Sequence, residues 1–95
     1  MITIFIRIKV EDYGKWKRVY DRLASLRKES GAQAATIYRD PKDANVVITV
    51  HQFKDWDSAT AWSNSKGLKS AMAEAGVSGP PVTWFGEEVE HISYQ

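Results

Sequence analysis

Asn45–Phe53, NVVITVHQF, is the stretch that decides the fold. Small aliphatic side chains alternate there with a chemically mixed set, Val47, Thr49 and His51. Because successive side chains of a β-strand point to opposite faces of its sheet, one face is aliphatic and the other carries a hydroxyl and an imidazole. The mixed face of this predicted strand either lines a small-molecule pocket or forms a satisfied edge of the core.

Ile2–Val10, ITIFIRIKV, shows the same alternation and predicts the first strand. Its aliphatic residues occupy every second position, and we expect them to face helices. Phe5 and Arg7 are then expected on the same mixed face as Thr49 and His51. Arg7 there is either an anion-binding group in a pocket or a rim residue that extends to water.

Helical periodicity follows the first strand and also the central one. Residues 12–30 carry apolar side chains at spacings of three and four, and Gly31 is placed to end that helix. A second helix is expected from the aspartates at 55 and 57 to Gly76, with a kink or break at residues 63–67, SNSKG. We expect the apolar stripe of the first helix in the core. Its members are Trp16, Val19, Tyr20, Leu23 and Leu26.

Two further strands complete the predicted order. Gln33–Arg39 pairs with the central strand through a turn at residues 40–45, and Val82 to about Val89 forms the last strand after an extended connection at residues 79–81, GPP. The order strand, helix, strand, strand, helix, strand is that of a ferredoxin-like α+β sandwich, with four antiparallel strands and both helices on one face. The other face needs a partner or water, and we expect a homodimer.

Length and composition limit what the chain can be. Its 95 residues, 43% of them hydrophobic, suffice for one domain, residues 1–95. No apolar run reaches the roughly 18 to 20 residues of a membrane span, and no signal peptide is evident. We therefore expect a cytoplasmic protein.

Several kinds of chemistry are disfavoured by the residue content. The chain has no cysteine, which excludes disulfides and thiolate sites. With two histidines in total, a histidine-based zinc site is not expected. The net charge is +1 and no nucleic-acid-binding motif accompanies the basic residues, so we expect no nucleic-acid partner.

Residues 53–72, FKDWDSATAWSNSKGLKSAM, carry a family resemblance. An aromatic residue, Phe53, ends a strand, an acidic cap follows, and Ala59 and Trp62 lie one turn apart on the next helix. In this pattern the chain resembles, over essentially its whole length, the antibiotic-biosynthesis monooxygenase-like domains of the dimeric α/β-barrel superfamily. The resemblance implies that two subunits pack sheet against sheet, with a pocket in each subunit between sheet and helices or in the barrel interior.

The resemblance implies fold and dimer more strongly than reaction, and two classes of function stay open. The first is a small enzyme without metal or organic cofactor, a monooxygenase, cyclase or isomerase that acts on an aromatic or polyketide-like compound. His51, with a pKa near neutrality, would act as general acid and base, and Arg7 would hold an anionic oxygen. The predicted ligand-binding residues are Phe5, Tyr38, Thr49, Trp62 and Trp84.

The alternative is a non-catalytic ligand-binding or structural dimer. His51 would then be a satisfied strand histidine with no part in chemistry. The same superfamily contains haem-degrading members, but no second histidine is expected near His51, so haem binding is not expected either.

Overall fold

The chain forms four strands and four helices in a computed structural model that describes every residue from Met1 to Gln95. The strands are β1 (Ile2–Val10), β2 (Ala32–Arg39), β3 (Val46–Phe53) and β4 (Val77–Glu87). The helices are α1 (Tyr13–Arg22), α2 (Ala24–Glu29), α3 (Trp56–Ser63) and α4 (Lys66–Glu74).

The four strands form one antiparallel sheet in the order β2-β3-β1-β4. This is the ferredoxin-like α+β arrangement that the sequence predicts, with the helices on one face. The sheet does not close on itself, so β2 and β4 are its edges. Closing this sheet into a barrel would need strands from another chain, since all four strands of this one are already in it.

The register between β1 and β3 decides which side chains face the helices. Ile4 lies opposite His51, and Ile6 lies opposite Thr49. Directly opposite residues of an antiparallel pair share a face, so His51 and Thr49 lie with the core isoleucines beneath the helices.

Phe5 and Arg7 therefore lie on the other face of the sheet. They are opposite Val50 and Ile48, the aliphatic residues of β3. The expectation that Phe5 and Arg7 share a face with His51 is wrong. The alternation was read correctly within each strand, but the pairing of the two strands brings the mixed set of β3 onto the aliphatic side of β1.

The first predicted helix is two helices, with a break at Leu23. The backbone there has φ −95° and ψ 11°, outside the helical range. The Tyr20 carbonyl, which a continuous helix would bond to the amide of residue 24, accepts instead from the Leu23 amide at 3.3 Å and from Arg27 Nη1 at 2.6 Å. The Arg27 side chain thus takes a backbone acceptor at the break.

The second predicted helix breaks where the sequence indicates, between α3 and α4. Asp55 caps α3 by accepting from the Ser58 amide at 2.8 Å. Ser65 caps α4 by accepting from the Leu68 amide at 3.1 Å. These are the side-chain types that satisfy the free amides of a helix N-terminus.

The last strand is longer than predicted, because residues 79–81 belong to it. Arg7 pairs with Val82 while Lys9 pairs with Ser78, so three residues of β4 lie opposite one residue of β1. Such a bulge on an edge strand accommodates prolines, which cannot donate to the hydrogen-bond ladder. The GPP segment is therefore a bulge within β4 and not a connection before it.

The core lies between the sheet and the helices. Its buried members come from β1, β3, α1 and α3, with Ala75 after α4. The predicted stripe of the first helix is correct at Trp16 and Val19, but Leu26 is exposed and Arg27 is buried in its place.

None of the helices combines the length and the apolar character that a membrane span requires.

Replacing Gly76 by alanine should lower the stability of the fold. Gly76 follows α4 with φ +77°, where an L side chain is strained, and an added Cβ would otherwise meet only ordinary contacts. We expect a loss of about 1 to 2 kcal/mol in unfolding free energy, measured by urea denaturation.

Gly67→Ala is the matched control, since Gly67 lies within α4 and an added Cβ meets Leu26 at 3.5 Å, an ordinary contact. It should leave stability unchanged or raise it by up to about 1 kcal/mol. Equal losses in the two variants would contradict the assignment of strain to Gly76.

Candidate functional site

A cavity of about 50 Å³ lies between the helix-covered face of the sheet and the helices. Its walls are mostly apolar and come from β1, α1 and α4. Five lining residues carry polar atoms: Tyr20, Arg27, Thr49, His51 and Trp62. The lining, apolar with a few polar groups, is that of a small-molecule pocket, whereas the volume is well below the roughly 300 to 1,000 Å³ of such pockets, so a ligand enters only if the helices move away from the sheet.

His51 is positioned in this cavity by a hydrogen bond to Tyr20. The Tyr20 hydroxyl lies 2.8 Å from His51 Nε2, and the two rings stack with centroids 5.8 Å apart. Tyr20 is held in turn by Trp16, one helical turn earlier, whose ring stacks on it at 4.9 Å. The strand thus places the imidazole and α1 fixes its orientation.

Two residues that line the cavity each carry a buried nitrogen atom without a hydrogen-bond partner. The two atoms are His51 Nδ1 and Trp62 Nε1, on residues that are only 2% and 4% exposed. Buried polar atoms are almost always paired, because leaving one unpaired costs about 1 to 3 kcal/mol. The two atoms are therefore free to bind polar atoms of a ligand.

Arg27 brings a positive charge to the same cavity. Its guanidinium carbon lies 3.6 Å from the centroid of the Tyr20 ring, and Nη1 donates to the Tyr20 carbonyl. The residue is 9% exposed and forms no ion pair. Burial lowers the pKa of Arg27 from its ordinary value, but a guanidinium still stays protonated at neutral pH.

Burial sets the protonation state of the other two groups. Desolvation, with a further contribution from the Arg27 charge, lowers the pKa of His51 to about 4. Burial also raises the pKa of Tyr20. At pH 7 the site therefore holds a neutral imidazole and a neutral phenol, and the near-neutral pKa expected for His51 is not what the structure gives.

The predicted site residues divide between the two faces of the sheet. The structure brings Thr49, His51 and Trp62 together around the cavity. The other four predicted residues lie on the opposite face and do not line it. They are Phe5, Arg7, Tyr38 and Trp84.

The opposite face, called here the open face, carries several exposed aromatic groups. The Phe5 and Trp84 rings stack with centroids 5.3 Å apart and planes 5° apart. Tyr38 lies opposite Ile48, and Val82 lies opposite Arg7, so both share this face. No helix covers it.

Sequence reasoning missed the roles of Tyr20 and Arg27. Tyr20 was expected in the core, and Arg27 was not among the predicted site residues. One signal was available: Arg27 follows Tyr20 by seven residues and Trp16 by eleven, which puts it on the buried stripe. A charged residue on an apolar stripe marks a candidate site, since buried charges are rare unless paired.

The arrangement supplies three chemical capacities to one apolar cavity. His51 Nδ1 accepts a proton or donates one, according to the tautomer that the Tyr20 bond selects. Trp62 Nε1 donates a hydrogen bond. The positive charge of Arg27 favours a bound molecule that carries negative charge. No group of three or more His, Cys, Asp or Glu side chains is placed to hold a metal ion.

Comparison with known proteins identifies the class of this domain. The sequence profile of a family described as antibiotic biosynthesis monooxygenase matches residues 1–74. The chain therefore belongs to the antibiotic biosynthesis monooxygenase family. None of the curated proteins matches its sequence.

Solved structures share the fold at low sequence identity. A cofactor-independent oxygenase from Streptomyces nogalater, SnoaB, superimposes with a TM-score of 0.78 at 14% identity, over 98% of this chain and 97% of that one. A Caulobacter crescentus protein provisionally named as an antibiotic biosynthesis monooxygenase gives 0.76 at 20% identity, over 94% and 90%. A Bordetella bronchiseptica protein with the same provisional name gives 0.78 at 13% identity, over 94% and 97%.

Lowering the pH from 7 to 4 should destabilise the protein through His51. The unfolded chain binds a proton there with the ordinary pKa of 6.5, whereas the folded chain stays neutral until about pH 4. Stability is therefore lost as pH falls through this window, by about 3 kcal/mol, since one pKa unit corresponds to about 1.4 kcal/mol. Urea denaturation at fixed protein concentration measures the loss.

His51→Gln is the control, because it cannot titrate there and should lose much less stability than the wild type between pH 6.5 and 4. Asp43 and Asp55, whose pKa values are lowered, begin to lose their contribution within about one pH unit above the ordinary value of 3.8, but they do so equally in both proteins, so the difference between the two profiles reports His51. Parallel profiles for wild type and variant would contradict the assignment to His51.

Proposed function

We propose that the protein is a cofactor-independent oxygenase whose substrate, an aromatic or polyketide-like compound, binds in the cavity beneath the helices. The observation that carries this proposal is the buried neutral His51, hydrogen-bonded to Tyr20 and unpaired at Nδ1, in an apolar cavity. Family membership and the fold shared with an oxygenase described as cofactor-independent support it.

His51 is the proposed base. When Nε2–H donates to the Tyr20 hydroxyl oxygen, Nδ1 is left with its lone pair free to take a proton from a substrate O–H or activated C–H group. A pKa of about 4 makes it a weak base in the empty cavity. An anion formed beside the imidazolium favours the charged form and offsets that loss.

The reaction balances with dioxygen as the only co-reactant. The deprotonated, electron-rich carbon reduces dioxygen and forms a carbon–oxygen bond to it. Loss of water then converts a substrate CH₂ group and one O₂ into a C=O group and one H₂O. In this proposal Trp62 Nε1–H, a buried donor without an acceptor, donates to oxygen that becomes negative during these steps. The apolar walls limit the access of water to the reactive anion.

We further propose that the protein works as a homodimer through the open face. Helices cover only one face of the sheet, and the other exposes Tyr38, Val82 and Trp84. A second copy offers the same surface, so a two-fold contact between two copies would cover the open face of each. This agrees with the sheet-to-sheet packing that the family resemblance implies. Arg7, on this face, then belongs to the subunit contact and not to the cavity.

Catalysis should depend on His51 and Trp62. With quinols and polyketide-like phenols as probes, we expect oxygen uptake by the wild type in an oxygen electrode. His51→Gln should lower the rate by about 10² to 10⁴, because the base is lost. Trp62→Phe keeps an aromatic side chain, although a smaller one, but removes the N–H, and should lower the rate by roughly 10².

His91→Gln and Trp56→Phe are the matched controls, since both residues are exposed and neither lines the cavity. Their rates should equal that of the wild type. If no probe is consumed while aromatic probes raise the melting temperature of the wild type and not of the His51 variant, the protein is the non-catalytic ligand-binding dimer instead.

Tyr38→Glu should dissociate the dimer into folded monomers. Tyr38 is 56% exposed on the open face, so a charge there opposes the contact without entering the core. Trp56→Glu is matched in exposure at 54% but lies beside Phe85 on the helix side, and should stay dimeric. Sedimentation velocity measures the oligomeric state, and circular dichroism measures whether the variant is folded. A monomeric wild type, or a dimeric Tyr38 variant, would contradict this interface.

A further inference from the structure

Arg27 is a buried cation without a counterion. It is 9% exposed, forms no ion pair and makes one hydrogen bond, from Nη1 to the Tyr20 carbonyl. A guanidinium has five N–H donors, and a buried charge is costly unless it is paired. Only Nη1 has a protein acceptor; the other guanidinium nitrogens are not fully buried and the Tyr20 ring lies against the group, but no anion balances the charge.

No acidic side chain of the chain is placed to balance this charge. The cavity lining contains no Asp or Glu, so Arg27 is its only permanently charged group. Asp21 is near enough to act on the Arg27 charge, but its carboxylate bonds to Lys17 Nζ at 2.5 Å. The empty cavity therefore has a positive charge without its partner.

We propose that the ligand of this cavity is an apolar molecule carrying one anionic oxygen group, a carboxylate or a phenolate, that pairs with Arg27. This rests on the proposed function only in placing substrate in the same cavity. It assigns the anion-binding role to Arg27 on the helix side, where sequence reasoning had assigned it to Arg7.

The remaining polar atoms fit the same ligand. Trp62 Nε1–H is a buried donor without an acceptor, and an anionic oxygen accepts several hydrogen bonds at once. The other walls, such as those formed by Leu68, Met72 and Val19, are apolar and suit the hydrocarbon part of the molecule. Met72 adds adaptability, because its unbranched side chain repacks around ligands of different shape.

Benzoate and benzamide test the proposal by isothermal titration calorimetry, because they match in shape and differ in charge. We expect the wild-type protein to bind benzoate about 10- to 100-fold more tightly than benzamide, the difference that a charged hydrogen bond makes. Arg27→Met should remove this preference by weakening benzoate and leaving benzamide unchanged. Arg27→Lys, which keeps the charge without the planar fork, should retain part of it.

Arg22→Met is the matched control, since Arg22 is exposed, lies near the same helix break and pairs with Glu74. It should retain the full preference. Equal binding of the two probes to the wild type, no binding of either, or an undiminished preference in a folded Arg27→Met would overturn the proposal. Should Arg27→Met not fold, the wild-type comparison and Arg27→Lys still decide it.

The outcome is separable from that of the proposed oxygenase activity. An Arg27-dependent preference for benzoate without oxygen uptake from any phenol or quinol retains the anion site and removes the oxygenase. Oxygen uptake together with equal binding of benzoate and benzamide retains the oxygenase and removes the anion site. A 4-nitrophenol titration across its ionisation distinguishes phenolate from carboxylate as the anion that the site accepts.

Discussion

The pairing of β1 with β3 is the constraint on which the site depends. With Ile4 opposite His51, every second residue of β3 from Val47 to Phe53 lies beneath the helices. A shift by one residue would exchange the faces, placing the imidazole on the open face and the aliphatic residues of β3 in the core. The helices accept the mixed set because His51 finds a hydrogen-bond partner in Tyr20 and Thr49 is small. One register thus determines both the core and the chemistry of the cavity.

Arg27 connects the backbone of the helical layer to that cavity. Its Nη1 bonds to the Tyr20 carbonyl, which is released by the break at Leu23, while its guanidinium lies over the ring of the same tyrosine. Tyr20 in turn orients His51. A continuous helix over residues 12–30 would give that carbonyl to its own backbone ladder. The interruption therefore contributes to the site, since it supplies the acceptor that anchors a buried charge.

Sequence patterns predicted the fold well and the site in part, for a physical reason. Alternation and helical spacing are local properties, and they located the strands, the break between α3 and α4, and the order that specifies the ferredoxin-like arrangement. Which faces of two strands coincide is a property of their pairing, and no pattern within β1 or β3 states it. Arg7 was consequently predicted beside His51, although it lies on the open face and His51 lies beneath the helices. The GPP segment was read as a connection because prolines disfavour strands, although an edge-strand bulge tolerates them.

The anion proposed to pair with Arg27 would couple proton binding to ligand binding in the cavity. In the empty site, desolvation and Arg27 together keep His51 neutral, because a second positive charge would be buried beside the first. An anion held by Arg27 cancels that repulsion and supplies an attraction, so it raises the pKa of His51. By thermodynamic linkage, a proton on His51 must strengthen anion binding by the same free energy. A base that is weak before the substrate ionises and strong once the anion exists favours the ionised pair, which is the state that the proposed oxygenation requires.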